Sequence, residues 1–115
     1  MIKRKSSYAV ETIENMRGGD GAVTIEKLLT PDEMYQKGRL YAKITLLPGS
    51  SIGYHLHEGE MESFYVISGD AEYQDCDETV TLRQGDTALT LSGEGHSIKC
   101  IGDNPLEIIA QILFQ

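Results

Sequence analysis

The sequence predicts an all-β fold, an antiparallel sandwich or barrel. Short segments of alternating polar and apolar residues recur along the chain, and turn-forming residues separate them. Only one brief helix is predicted, so no helical layer is available to cover a parallel sheet. The chain has 115 residues, a length that suits one domain with a substantial core. Together these features are typical of domains built from short antiparallel strands.

The beginning of the chain predicts an arm followed by the main domain. We assign residues 1–21 to an N-terminal arm and residues 22–115 to a single β domain. Within the arm, Val10, Ile13 and Met16 recur at three-residue spacing. This spacing suits either one or two helical turns or a segment laid on the sheet, and the sequence does not separate the two.

A strand and a short helix are expected next. Residues 22–29 are rich in β-branched side chains, which favours a strand. Thr30 then suits the N-cap of a helix, Pro31 its first position, and Glu33 the closing position of a capping box. Gly38 ends this short helix.

Short segments between turn-forming residues predict strands through the rest of the chain, and those at residues 39–47 and 79–83 also alternate polar and apolar side chains. They are expected at residues 39–47, 63–68, 71–74, 79–83, 87–91, 96–101 and 106–114. The last strand is apolar on both faces, so we expect one face to be buried against a second copy. An exposed apolar edge strand would otherwise invite aggregation, and we therefore predict a homodimer.

The stretch from Gly49 to Gly69 contains two of the three histidines of the chain. One residue separates His55 from His57, so both imidazoles lie on the same face of an extended strand. The polar loop around Gly59 allows the chain to reverse and to set Glu62 across from His57. Facing residues of an antiparallel pair have Cβ atoms about 4.5 to 5.5 Å apart, close enough for one ion to contact both side chains. The sequence predicts a hairpin with a metal site at its mouth.

This stretch resembles the first motif of the cupin family. Gly49, His55, His57, Glu62 and Gly69 stand at the spacing of that motif. The resemblance implies a small jelly-roll barrel with a metal ion inside its mouth.

A second stretch resembles the second cupin motif, with two departures. Gly85, Gly93 and His96 match it, whereas Leu91 replaces the usual proline and Cys100 replaces the usual asparagine. In the family, this proline and this asparagine shape the turn and the strand and do not bind metal. The resemblance therefore still implies His96 as the fourth ligand.

Three imidazoles and one carboxylate suit a divalent first-row ion. The resemblance to small manganese-type, oxalate-decarboxylase-like cupins favours Mn, with Fe, Ni or Zn as alternatives. An octahedral ion would keep two positions open for water or for a small ligand with two oxygens. We expect a metal-dependent decarboxylase, dioxygenase, lyase or isomerase acting on a small carboxylate, keto acid or sugar-like substrate. The competing hypothesis is a non-catalytic protein that binds or senses a metabolite at the metal.

Acid–base groups for catalysis are scarce, because the chain has no fourth histidine. Glu60 and Tyr65 are the catalytic candidates, and Glu94 is a further one. For Glu60 the alternative is a solvated loop acid, and for Tyr65 it is a wall residue of the core or pocket. Cys100 shares the strand parity of His96 and is expected to be a buried, inert thiol.

Composition argues against several classes of partner. The formal net charge is −8, and no basic patch is large enough to neutralise several phosphates, so nucleic acid is not expected as a partner. No apolar run has the length of a membrane span. With only two cysteines, the chain suits the cytoplasm and reduced thiols. Any of Arg39, Lys43 and Lys99 that points inward would anchor an anionic substrate.

Overall fold

Two antiparallel sheets pack face to face. The computed structural model describes residues 1–115. The strands are β1 (Ala9–Glu14), β2 (Ala22–Lys27), β3 (Gly38–Leu46), β4 (Ser51–Leu56), β5 (Glu60–Ser68), β6 (Asp70–Asp75), β7 (Glu78–Leu82), β8 (Thr87–Thr90), β9 (Gly95–Ile101) and β10 (Leu106–Phe114). One sheet has six strands in the order β1-β2-β3-β10-β5-β8, and the other has four in the order β4-β9-β6-β7. Every neighbouring pair is antiparallel, which confirms the predicted all-β class.

Helical structure is limited to two single 3-10 turns, Lys5–Ser7 and Met16–Gly18. No helix in the structure is long and apolar enough to cross a membrane.

The hydrophobic core lies between the inner faces of the two sheets. Its members come from alternate positions of the strands, as the period-2 pattern predicts. On β10 they are Leu106, Ile108 and Ala110, and all three are fully buried. Cys100 is also buried in this core, in agreement with its predicted inward parity, and burial raises the pKa of its thiol.

The last strand is central and not an edge. β10 pairs with β3 on one side and with β5 on the other, although its bounds are those predicted. The expected exposed edge at residues 106–114 is therefore wrong, because both rows of backbone groups have partners. Its second face, with Ile109 and Leu113, lies half-buried on the outside of the six-stranded sheet.

The N-terminal segment adds a strand to the sheet and forms no α-helix. β1 pairs with β2 from Ala9 opposite Lys27 to Glu14 opposite Ala22. Ile13 packs against the core. The segment therefore extends the six-stranded sheet at its edge.

The helix expected at residues 30–38 is wrong, because the segment is a series of turns. The capping box itself forms: the Thr30 N–H donates to Glu33 Oε1 at 2.8 Å, and the Glu33 N–H donates to Thr30 Oγ1 at 3.2 Å. Tyr35 and Gln36 then take left-handed conformations, with φ of 52° and 56°, which stop helical growth. One turn of helix is too short to be stable without further packing.

Candidate metal centre

Four potential metal ligands converge between the two sheets. The ligand atoms of His55, His57, Glu62 and His96 all lie within 4.8 Å of one another. His57, Glu62 and His96 are buried, and His55 is half-buried. The structure thus brings together all four residues that the sequence singles out as ligands.

The ligands come from both sheets, and the predicted hairpin is wrong. β4 carries His55, which pairs with His96 on β9 in the four-stranded sheet. Glu62 lies on β5 in the six-stranded sheet, opposite Thr90 on one side and Ile112 on the other. The loop between β4 and β5 passes from one sheet to the other, so the ligands meet across the interior. Local turn chemistry indicates where the chain reverses but not which strands then pair.

A bulge in β4 directs the histidines inward. Ile52 pairs with Ile98, and His55 pairs with His96. Between these pairs β4 has two residues where β9 has one. Ile52 is buried, and at regular alternation His55 would lie on the opposite, outer face. The extra residue reverses the alternation and aims both His55 and His57 at the interior.

The first two imidazoles each have an acceptor at Nδ1. His55 Nδ1 lies 2.8 Å from the carbonyl oxygen of Gly53, and His57 Nδ1 lies 2.9 Å from Glu60 Oε1. Donation from Nδ1–H to these oxygens leaves the lone pair on Nε2. Acceptors of this kind orient metal-binding histidines and make them better ligands.

His96 is held in the same way by two buried hydroxyls. Its Nδ1 lies 2.8 Å from Tyr73 Oη and 2.9 Å from Thr90 Oγ1. Neither Tyr73 nor Thr90 is among the candidate site residues that the sequence singles out. The one available signal was a polar Thr90 on the inward parity of a strand whose other inward residue is Ala88.

The spacing of the donor atoms fits one divalent ion. His57 Nε2 and His96 Nε2 are 3.1 Å apart, and Glu62 Oε1 lies 3.1 Å and 3.0 Å from them. Adjacent ligands of an octahedral ion with bonds of about 2.1 Å are about 3.0 Å apart. Two nitrogen lone pairs at this separation repel unless a cation or a proton lies near both. The donor set and its spacing therefore suit a first-row metal ion.

The charges of these groups also suit a cation. The hydrogen bond to Glu62 raises the pKa of His57, whereas burial lowers the pKa of His55. Burial alone would raise the pKa of Glu62, but hydrogen bonds with His57 and His96 outweigh it and lower that pKa. Glu62 is thus a carboxylate anion that offsets part of the charge of a bound ion.

Comparison with known proteins agrees with this geometry. The family model of the cupin domain matches residues 42–112 of this sequence. The chain belongs to the cupin family. It is 43% identical over 113 residues to an oxalate-binding protein of Thermotoga maritima, covering 98% of this chain and 93% of that protein. The crystal structure of a predicted oxalate decarboxylase from the same organism superposes with a TM-score of 0.96 and 43% identity over 100% of both chains. An RmlC-like cupin from Shewanella frigidimarina, with a TM-score of 0.76, 15% identity and coverage of 98% and 89%, shares the fold alone.

The carboxylate of Glu60 contacts His57 in this cupin and is itself held by Arg39. Arg39 donates two hydrogen bonds to it, from Nε to Oε2 and from Nη2 to Oε1, both at 2.7 Å. Hydrogen bonding to Arg39 lowers the pKa of Glu60 to about 2, with a further contribution from His57. Glu60 is therefore ionised at neutral pH and has no proton to donate.

The other acid–base candidates lie away from the ligand cluster. Tyr65 is 48% exposed on the outer face of β5, opposite to the face that carries Glu62. Glu94 Oε1 accepts the Leu91 N–H at 2.8 Å and so closes the turn before β9.

A small cavity adjoins the ligand cluster. Its volume is about 210 Å³, below the roughly 300 to 1,000 Å³ of typical sites for drug-sized ligands. It is lined by apolar core residues, by ligands and by charged side chains: Glu11, Met16, Arg17, Ile25, Lys27, Arg39, Leu40, Ile44, Ile52, His55, His57, Glu62, Phe64 and Ile112. The space suits a ligand of a few heavy atoms.

Removal of the two hydroxyls behind His96 should weaken metal binding. In Tyr73→Phe the Nδ1–H keeps Thr90 as acceptor, so we expect a loss of affinity of less than about tenfold. In Tyr73→Phe with Thr90→Val no acceptor is left, and we expect a loss of about 10- to 100-fold. Competition with a coloured chelator measures both values. Tyr54→Phe, on an exposed tyrosine of β4, is the control, and wild-type affinity in the double variant would contradict the assignment.

Proposed function

We propose that this cupin binds a small dicarboxylate of the oxalate type through a divalent metal ion held by His55, His57, Glu62 and His96. The observation that carries the proposal is the set of three Nε2 lone pairs, each freed by an acceptor at Nδ1, beside one buried carboxylate. The size of the cavity supports a ligand of this kind. The similarity to an oxalate-binding protein of Thermotoga maritima points the same way.

We propose Mn as the ion, with Fe, Ni or Zn as alternatives. Imidazole and carboxylate ligands suit all four metals, and the ion's identity has to be measured. When bound, the ion supplies positive charge that stabilises a chelating anion. The protein's own contribution is to orient the imidazoles and to enclose the ligand.

Binding without turnover is the function that the acid–base groups support best. When oxalate loses carbon dioxide, the remaining carbon must take up a proton to become formate. Glu60 is a carboxylate with a pKa of about 2. Burial raises the pKa of Tyr73 to about 12, and its hydroxyl is engaged by Thr90 and His96. Neither group is a ready proton donor at neutral pH.

A metal-dependent decarboxylase is the second candidate. The similarity to a structure described as a predicted oxalate decarboxylase supports it. A ligand-derived proton or a bound water would then have to replace the missing side-chain acid.

One experiment separates the two functions. Protein purified without a metal-affinity tag is stripped, reloaded with Mn, Fe, Ni or Zn, and titrated with oxalate by calorimetry. We expect one oxalate per chain in a loaded form, no binding in the stripped form, and no formate by chromatography. Oxalate binding that survives metal removal, or none with any of the four ions, would contradict the proposal. Accumulation of formate would establish the decarboxylase instead.

We also propose a cytoplasmic homodimer. The outer face of the six-stranded sheet carries partly exposed apolar side chains, among them Tyr65, Leu89 and Ile109. A second copy covering this face would bury them. Both cysteines are free, which agrees with a reducing compartment. Light scattering should give about twice the 12.7 kDa chain mass, and the monomer mass would refute the dimer.

A further inference from the structure

Arg17 is the only cation of the cavity without a carboxylate partner. Three basic residues line the cavity: Arg17, Lys27 and Arg39. Lys27 Nζ lies 3.4 Å from Glu11 Oε2, and Arg39 is paired with Glu60 at 2.7 Å. Arg17 forms no ion pair. Its positive charge is therefore available to a ligand in the cavity.

The backbone of Arg17 is held in an unfavourable conformation. Its φ of 55° and ψ of 29° lie in the left-handed region, which side chains of this size rarely adopt. Such conformations persist where the surroundings impose them, and they are concentrated at ligand sites. A glycine would take this conformation without strain, yet the chain has an arginine here.

The loop that carries Arg17 is fastened to the ligand strand. The Ser51 N–H donates to the carbonyl oxygen of Asp20 at 2.8 Å, and the Asp20 N–H donates to Ser51 Oγ at 2.8 Å. The carbonyl oxygen of Arg17 lies so close to Gly53 that a Cβ there would collide with it. Ser51 and Gly53 belong to β4, the strand that also carries His55. These contacts hold the loop against the strand that carries His55.

From these observations we infer that Arg17 determines specificity, by favouring a dicarboxylate dianion over less charged chelators of the same size. The inference rests on the proposed function and names the charge that the site selects. An oxalate that chelates an ion through one oxygen of each carboxylate leaves its other two oxygens side by side. A guanidinium donates two parallel N–H bonds to such a pair. Oxamate, in which an amide replaces one carboxylate, presents an NH₂ donor at one of these positions and loses that bond.

The test compares oxalate with oxamate on Mn-loaded protein by calorimetry. We expect the wild type to prefer oxalate. Arg17→Gln should weaken oxalate binding by about 10- to 100-fold, the value for losing charge-assisted hydrogen bonds, and oxamate binding by much less. Arg83→Gln is the matched control, because it removes the same charge from an exposed residue outside the cavity and should leave both affinities unchanged.

A second variant separates binding from folding. Arg17→Gly removes the side chain and relieves the left-handed strain, so its melting temperature should equal or exceed that of the wild type while oxalate binding falls as in Arg17→Gln. Metal content is measured for every variant. Wild-type oxalate affinity in both variants, an equal loss for oxalate and oxamate, or loss of the ion from both variants would overturn the role of Arg17. Failure of the wild type itself to bind oxalate would overturn the proposed function, and the role of Arg17 with it.

Discussion

Replacement of His57 with alanine should lower the metal content from about one ion per chain to less than roughly a tenth, because the proposed site loses one of its four ligands. His57 is 2% exposed, so water cannot easily replace the imidazole without entering the core. The carboxylate of Glu60 would also lose its partner at Nδ1. Mass spectrometry of metals on untagged protein measures the content directly.

Leu56→Ala is the matched control for this variant. Leu56 precedes His57, is 59% exposed, and points away from the cluster, so its removal should leave the ion in place. A full ion content in His57→Ala would show that the metal is bound elsewhere. Loss in both variants would point to disruption of β4 and not to loss of a ligand.

Replacement of Phe64 with alanine should lower the free energy of unfolding by about 3 to 5 kcal/mol, the usual cost of removing a buried phenylalanine. Phe64 is 2% exposed, and its ring stacks on the imidazole of His96 with centroids 5.0 Å apart. It also meets the ring of Tyr73 edge to face at 6.2 Å. Urea unfolding of the metal-free protein measures the loss without the added stabilisation of a bound ion.

Tyr65→Phe is the control at the next position of the same strand. Tyr65 is 48% exposed on the outer face and phenylalanine keeps its ring, so we expect a change below about 1 kcal/mol. This variant also tests Tyr65 as a catalytic candidate, and unchanged oxalate binding is the expected result. Equal destabilisation by the two substitutions would contradict the assignment of the two faces of β5.

The sequence by itself determined most of the strands and the set of candidate metal ligands. The turn residues that precede it predicted the strand at residues 106–114 with the bounds that the structure has. The spacing of His55 and His57 placed both on one face, the predicted chain reversal added Glu62, and the cupin resemblance added His96 to form the observed cluster. These features depend on neighbours along the chain, and strand periodicity and motif spacing record such neighbours directly.

Only the tertiary structure decided how the strands combine. It separated β4 from β5 into different sheets, and the bulge after Ile52 chose the side to which the histidines point. It also put Tyr73 and Thr90 behind His96, three residues from three different strands. Strand pairing and contacts across a sandwich join residues that are distant in sequence, and no local pattern specifies them. After Thr30 the predicted capping box forms, but the left-handed conformations of Tyr35 and Gln36 leave no helix for it to cap.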